Sequence, residues 1–134
     1  MKIGVLACSK RKAPRPCRAV ELYQGRTFRA ALGVLRARGC ARFVVLSALY
    51  GAVDGAEVIA PYEQTLMGAP MRERRAWAAT ARAQLVELVG DGPLVAILPA
   101  DYARALEGLP QVERLYPGLS QGRLYSALAA ELRS

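Results

Sequence analysis

The sequence predicts an α/β domain of three layers, in which a mostly parallel sheet of about four strands carries helices on both faces. Short apolar runs without polar alternation, typical of strands buried on both faces, alternate with segments whose apolar residues recur at helical spacing. The 134 residues are 53% hydrophobic and 22% charged, which suits one hydrophobic core. We therefore expect a single domain over residues 1–134, with right-handed crossovers between its parallel strands.

The first half of the chain predicts two strands separated by a helix. Residues 2–7 form the first strand, and residues 26–38 form a helix that stops at a glycine. Residues 42–47 form the second strand. From residue 48 to about residue 68, the Gly, Pro and Asp content excludes one regular element, so we expect a long functional loop there.

The second half continues the alternation. We expect a long helix over about residues 70–89, a third strand over 93–98 and a short helix over 100–107. Residues 112–115 predict a short edge strand. Ser120 is a suitable N-cap for a last helix.

The composition excludes several kinds of site. The chain has no histidine, which removes histidine-based metal sites and Ser-His-Asp or Cys-His triads. The three cysteines lack the close paired spacing of a zinc site, so we expect no metal, no cofactor and no disulfide framework. Any catalysis would rest on carboxylate, lysine, tyrosine or cysteine side chains or on backbone dipoles, and the sequence leaves open whether the chain is an enzyme.

The sequence also predicts a cytoplasmic protein with no membrane partner. Its longest apolar runs are about five residues, against the roughly 20 that a membrane-spanning helix requires. The apolar stretch near the start is too short for a signal peptide and suits a first strand.

Positive charge is concentrated in the first third of the chain. Residues 1–42 hold 11 Lys or Arg and one acid, a net charge of +10, whereas residues 43–134 hold eight bases and ten acids, a net charge of −2. This asymmetry indicates an anionic partner, either a polynucleotide backbone or the phosphate of a small ligand. A solvated basic face is the alternative.

Polar segments follow three of the predicted strands, where an open parallel sheet binds its ligands. The first, residues 8–12, contains no Walker or dinucleotide motif, but it offers the Ser9 hydroxyl and the ammonium groups of Lys10 and Lys12 to a phosphate. The other two are residues 47–51 and 99–102. The alternative is that the lysines are simply solvated.

Aromatic and acidic residues of the long loop complete the candidate site. Tyr50 and Tyr62 could clamp a base or sugar, although Tyr62 could equally pack over the edge of the core. Glu63 is the best available acid or base, and we take Glu63 and Tyr50 as the candidate catalytic residues.

Four ordered blocks within residues 3–66 resemble a family of small bacterial and phage proteins known as domain-of-unknown-function family 6884. They are Cys8-Ser9-Lys10-x-Lys12, Ala19-x-x-Leu22-Tyr23-x-Gly25-x-x-Phe28, Leu46-Ser47-Ala48-x-Tyr50-Gly51 and Ile59-x-Pro61-Tyr62-x-x-Thr65-Leu66. The first block also resembles, less closely, archaeosine tRNA enzymes and a peroxide-stress family regarded as DNA-binding. The resemblance adds binding positions at Tyr23, Ser47, Gly51 and Thr65 but fixes no catalytic role.

Two functional hypotheses follow. The first is a nucleotide- or nucleic-acid-directed domain that holds a phosphate at the carboxyl ends of the strands, with any reaction at a nucleobase or N-glycosidic bond. The second is a non-catalytic, sequence-tolerant DNA-binding protein in which the basic third follows a polynucleotide backbone. The oligomeric state stays open.

Overall fold

Strands and helices alternate along the chain in the computed structural model, which describes residues 2–134. The elements are β1 (Ile3–Ala7), β2 (Cys17–Arg18), α1 (Ala19–Leu22), α2 (Arg26–Ala37), β3 (Arg42–Ser47), β4 (Gly51–Asp54), β5 (Val58–Ile59), α3 (Met71–Val89), β6 (Leu94–Ile97), α4 (Ala100–Ala103) with a following 3₁₀ turn (Arg104–Leu106), β7 (Val112–Arg114) and α5 (Gln121–Arg133). The predicted strands and helices are all present within a few residues of their expected bounds.

The main sheet has five strands in the order β4-β3-β1-β6-β7. Neighbouring strands among β3, β1, β6 and β7 are parallel, which confirms the predicted mostly parallel sheet. The fifth strand, β4, pairs antiparallel with β3 and lies inside the segment 48–68 that we expected to be irregular. That expectation was wrong for β4 because the edge of β3 presents backbone groups that a short returning strand can pair.

The sheet is covered on both faces, so the domain has the predicted three layers. One face of β1 contributes Leu6 to a core shared with α1, α2 and α5. The other face contributes Val5 to a core shared with α3 and the 3₁₀ turn. None of the helices described within residues 2–134 combines the length and apolar character that crossing a bilayer requires.

The crossovers diverge at the carboxyl end of the central strand. The connection from β1 to β3 passes through α2 on one face, and the connection from β3 to β6 passes through α3 on the opposite face. Loops that leave neighbouring parallel strands in opposite directions open a crevice at the sheet edge. The loops after β1 and β3 therefore frame the region where a ligand is expected.

A two-stranded ribbon pairs the segment before α1 with the segment after β4. Cys17 of β2 lies opposite Ile59 of β5, and Arg18 lies opposite Val58. The pairing continues along the chain, because the Ala19 N–H donates to the Glu57 carbonyl at 2.8 Å. We call this pair of segments the β2–β5 ribbon; it is the second departure from the expected long loop.

A side-chain amide fixes the turn between β3 and β4. Gln84 of α3 accepts a hydrogen bond from the Ala52 N–H at 2.9 Å and donates to the Tyr50 carbonyl at 3.3 Å. Gly51, between them, has a φ of +78°, and a Cβ there would stand 1.9 Å from the Gln84 Oε1. Any other residue at position 51 would be strained at this φ and would displace the Gln84 amide, so glycine suits the turn that places Tyr50.

Gly51→Ala should therefore introduce both backbone strain and a clash with Gln84, whereas Gly68→Ala should introduce backbone strain alone. Gly68 has the same φ of +78° with no atom within 4 Å of a built Cβ, so its substitution costs about 1 kcal/mol of backbone strain. We expect Gly51→Ala to lower the free energy of unfolding by a further ~1–3 kcal/mol, because Gln84 must be displaced. Urea unfolding of both variants measures the difference, and equal losses would refute the Gln84 contact.

Candidate functional site

A buried hydroxyl network joins the carboxyl end of β3 to the segment after β5. Ser47 is fully buried, and its hydroxyl donates to the Tyr62 hydroxyl at 2.7 Å. The same oxygen accepts the backbone N–H groups of Leu49 and Tyr50 at 3.2 and 3.0 Å. The Tyr62 hydroxyl lies 2.6 Å from that of Tyr23. Tyr62 is therefore held from its polar end by groups of two other segments.

The rings of Tyr23, Tyr50 and Tyr62, here called the tyrosine cluster, pack edge to face. The centroids of Tyr50 and Tyr62 are 5.4 Å apart at 87°, and those of Tyr23 and Tyr62 are 6.3 Å apart at 76°. Such pairs contribute about 0.5–1.5 kcal/mol beyond their buried area. The orientation of the Tyr62 ring is thus fixed by both packing and hydrogen bonds.

Burial keeps two of these phenols protonated. It raises the pKa of Tyr23 to about 12, and it also raises the pKa of Tyr62 above its ordinary value. Loss of solvation disfavours the charged phenolate relative to the neutral phenol. At neutral pH these hydroxyls act as hydrogen-bonding groups rather than as bases.

A hydrogen bond holds the loop after β1 against the start of α2. The Gly25 N–H donates to the Ser9 hydroxyl at 3.1 Å, and that hydroxyl donates to the Arg11 carbonyl at 2.8 Å. A Cβ at Gly25 would stand 2.8 Å from the Ser9 Cβ, so the glycine permits this close approach. Ser9 therefore shapes the loop, and its hydroxyl is already engaged within the protein.

The Lys12 ammonium lies over the face of Tyr62. Its Nζ is 4.4 Å from the Tyr62 ring centroid and 5.9 Å from that of Tyr23, and it donates to the Lys10 carbonyl at 3.2 Å. A cation over an aromatic face gains about 0.5–1 kcal/mol at a partly exposed site. The fixed Tyr62 ring thereby positions a positive charge contributed by the loop after β1.

The two segments enclose an open hollow of about 370 Å³, here called the lysine hollow. It is lined by Lys10, Lys12, Ala13 and Pro14 from the first segment and by Pro61, Tyr62 and Glu63 from the second. Two ammonium groups face one carboxylate, a balance that suits an anion. Within residues 2–134, no cluster of three Cys, Asp or Glu side chains is arranged to hold a metal ion.

Four of the predicted site residues meet at this hollow: Lys10, Lys12, Tyr62 and Glu63. Tyr23 and Ser47 are fully buried, and Gly51 is buried in its turn, so these three support the site from behind. A direct contact between Ser47 and a ligand therefore stays a prediction, as it does for Tyr23 and Gly51. The sequence alone does not distinguish a serine whose hydroxyl points toward a ligand from one whose hydroxyl accepts backbone N–H groups of the following turn, as Ser47 does.

The other three predicted residues, Ser9, Tyr50 and Thr65, lie outside the lining of the hollow. The Tyr50 hydroxyl donates to the Ala60 carbonyl at 3.3 Å, and its ring supports Tyr62. Thr65 is exposed, and its Oγ1 accepts the Met67 N–H at 3.1 Å in a local turn. Of the two candidate catalytic residues, Glu63 therefore lines the hollow and Tyr50 does not.

The segment after β6, residues 99–102, contacts the loop after β1 through Cys8 and Tyr102. The Cys8 thiol donates to the Tyr102 hydroxyl at 3.2 Å, and the Tyr102 ring packs edge to face on Trp77 at 5.2 Å. Trp77 donates to the Ser47 carbonyl at 2.9 Å. Burial raises the pKa of Tyr102. These contacts brace the loop after β1, and the lysine hollow does not include them.

Most of the basic third is held by contacts within the protein. Arg18, Arg38 and Arg42 form ion pairs with acids, and so does Lys2 with Glu113 at 4.0 Å. Three further arginines contact a backbone carbonyl or an aromatic ring: Arg29, Arg26 and Arg36. The remaining four bases all lie in the loop after β1: Lys12, which contacts the Lys10 carbonyl and the Tyr62 ring, and Lys10, Arg11 and Arg15. The positive charge is spread over 42 residues of sequence, whereas in the structure four of its bases share the loop that lines the lysine hollow.

A family model described as a family of unknown function (DUF6884) matches residues 3–128, so the chain belongs to this family. This confirms the family that the sequence suggested, and the match reaches beyond residue 66 into α5. No curated protein and no solved structure matches the chain.

Tyr62→Phe removes the acceptor for the Ser47 hydroxyl while keeping the ring, so we expect it to lower the free energy of unfolding at pH 7 by about 1–3 kcal/mol. In the native protein, raised phenol pKa values stabilise the fold below pH 10, and this contribution is lost as pH rises through about 12. Tyr62→Phe should therefore flatten the decline above pH 10.

Denaturant unfolding between pH 7 and pH 12 measures both effects. Tyr125→Phe is the control, because the Tyr125 hydroxyl forms no hydrogen bond among residues 2–134, and we expect it to cost less than about 0.5 kcal/mol. Equal behaviour of the two variants would show that the Ser47–Tyr62–Tyr23 network does not stabilise the fold.

Proposed function

We propose that this member of the DUF6884 family binds the phosphate of a nucleotide or nucleic acid in the lysine hollow. The observation that carries the proposal is the position of the Lys12 ammonium, 4.4 Å from the centroid of the anchored Tyr62 ring and beside Lys10. A compact ammonium is a suitable point charge for a phosphate oxygen. Phosphate binding is therefore the function that this geometry favours.

Preorganisation strengthens the case for Lys12. A lysine side chain ordinarily loses rotamer freedom when it contacts a ligand, which weakens binding. Lys12 is already placed by the Tyr62 ring and the Lys10 carbonyl, and only one of its three N–H donors is used in the recorded hydrogen bond. The other donors are available to phosphate oxygens.

The position of Glu63 favours a nucleotide rather than inorganic phosphate as the ligand. It is exposed, lines the hollow and forms no ion pair among residues 2–134, so its oxygens can accept hydrogen bonds from sugar hydroxyls or base amino groups. Chemistry at a nucleobase or N-glycosidic bond would use the same carboxylate as acid or base. The binding proposal does not depend on such a reaction.

The observed charge distribution favours this hollow over a broad DNA-binding face. Seven of the eleven bases in residues 1–42 lie outside the loop after β1 and have intramolecular contacts, and the other four, including Lys12 over the Tyr62 ring, share that loop. Non-specific DNA binding along a wide surface would give a steep loss of affinity with salt, about 0.9 in log–log slope for each phosphate neutralised. A mononucleotide in the hollow would show a much weaker dependence.

Replacing both lysines of the hollow, Lys10→Ala and Lys12→Ala, should weaken nucleotide binding by at least about tenfold, because two cationic donors to the phosphate are lost. Isothermal titration calorimetry against a panel of nucleoside monophosphates and short DNAs measures this. The matched control is Arg72→Ala with Arg75→Ala, which removes the same charge from exposed residues of α3.

The control pair distinguishes a local site from overall charge. An equal loss of affinity in both double variants would indicate general electrostatics, and an unchanged affinity in the lysine variant would refute the lysine hollow as the binding site. Thermal melting of each variant verifies that its fold is intact.

A further inference from the structure

A second cationic hollow lies near the other end of the β2–β5 ribbon. It measures about 380 Å³ and is here called the arginine hollow. Its charged lining consists of Arg18, Arg36 and Arg42 with one carboxylate, Asp54. Three guanidinium groups against one carboxylate make this hollow cationic, like the lysine hollow.

The three guanidinium groups differ in availability. Arg42 is engaged by Asp54 and the Leu88 carbonyl, at 3.1 and 2.9 Å, and Arg18 is paired with Glu21. Arg36 lies over the Phe43 ring with its central carbon 5.6 Å from the centroid and has no hydrogen bond among the described residues. A guanidinium that stacks by its face keeps its edge donors free for an anion.

The register of the ribbon relates the two hollows. Because Cys17 pairs with Ile59 and Arg18 with Val58, continuing the same register would bring Pro14 opposite Tyr62 at one end. Pro14 and Tyr62 line the lysine hollow, whereas Arg18 lines the arginine hollow. Both hollows are thus built on the same antiparallel pair of segments.

The length of α2 sets the distance between the groups that would hold the two phosphates. Arg36 lies near the end of α2, whereas the N-cap of that helix, Gly25, contacts Ser9 in the loop after β1. At ~1.5 Å of rise per residue, Arg36 lies roughly 16 Å along the helix from that loop. Stacked nucleotides rise ~3.4 Å each along one strand, so this distance corresponds to about five nucleotides. Val58 of the β2–β5 ribbon is 63% exposed, and Arg15, two residues before the ribbon, is exposed as well.

We propose that the lysine and arginine hollows bind phosphates of one polynucleotide strand that lies along the β2–β5 ribbon, an inference that rests on the function proposed above. A mononucleotide can occupy only one of the two hollows. A strand several nucleotides long can place phosphates in both, with its sugars and bases over the β2–β5 ribbon.

The test compares oligothymidylates of increasing length with thymidine 5′-monophosphate, using fluorescence anisotropy or calorimetry. Affinity should rise between the dinucleotide and the octanucleotide, once the strand reaches the second hollow. Arg36→Gln, which keeps a side chain over Phe43 but removes the charge, should weaken octanucleotide binding by about tenfold. It should also lower the log–log salt slope by about 0.7 and leave the monophosphate affinity unchanged.

Two further variants complete the experiment. Arg75→Gln removes an equivalent exposed charge from α3 and should leave octanucleotide affinity within about twofold of the native value. Asp54→Asn removes the carboxylate of the arginine hollow and releases Arg42, so it should tighten octanucleotide binding. This change has the opposite sign to that of Arg36→Gln and cannot arise from unfolding.

The two proposals fail in distinguishable ways. If the Lys10→Ala, Lys12→Ala double variant weakens octanucleotide binding but Arg36→Gln and Asp54→Asn leave it unchanged, the bridging strand is refuted and the lysine hollow stands. If the lysine variant changes neither monophosphate nor octanucleotide affinity, the proposed function itself is refuted.

Discussion

The hydrogen bonds of the Tyr62 hydroxyl are the interaction on which the candidate site depends. They tie a residue from the segment after β5 to Ser47 at the end of β3 and to Tyr23 after α1. Without them, only packing against Tyr23 and Tyr50 would orient the Tyr62 ring, over which Lys12 holds its ammonium. Hydrogen bonds among one buried serine and two tyrosine hydroxyls thus hold together two segments that are far apart in sequence and that line one cationic hollow.

The sheet topology explains why these segments come together. β1 is central and parallel to β3, so the loops that follow both strands leave from the same edge. β4 then returns along β3, and β5 pairs with β2, which carries the chain back toward the loop after β1. The segment between β3 and α3 thus forms one side of the lysine hollow, and the pairing of its two short strands, β4 and β5, positions Pro61, Tyr62 and Glu63.

Apolar periodicity is sufficient to predict the main elements, because the spacing of apolar residues within a single segment indicates a buried strand or an amphipathic helix. β4 and β5 could not be predicted in this way. Each is short, and each is defined by partners distant in sequence, such as Gln84, which holds the Gly51 turn from α3. The same limit applied to the site: Lys10, Lys12, Tyr62 and Glu63 were identified from residue type and position, but the inward orientation of Ser47 and Tyr23 depends on contacts that no local pattern contains. The engagement of Arg38 by Glu131, 93 residues away, is a further example.

The central claim is that the loop after β1 and the segment after β5 together receive a phosphate. Titration of the ¹⁵N-labelled protein with thymidine 5′-monophosphate, followed by ¹H–¹⁵N correlation spectra, tests it most directly. We expect the largest saturable shifts at the backbone amides of residues 10–13 and 62–63, from both walls of the lysine hollow. Shifts confined to other surfaces, or no saturable shifts at all, would contradict the assignment of this hollow as a phosphate site.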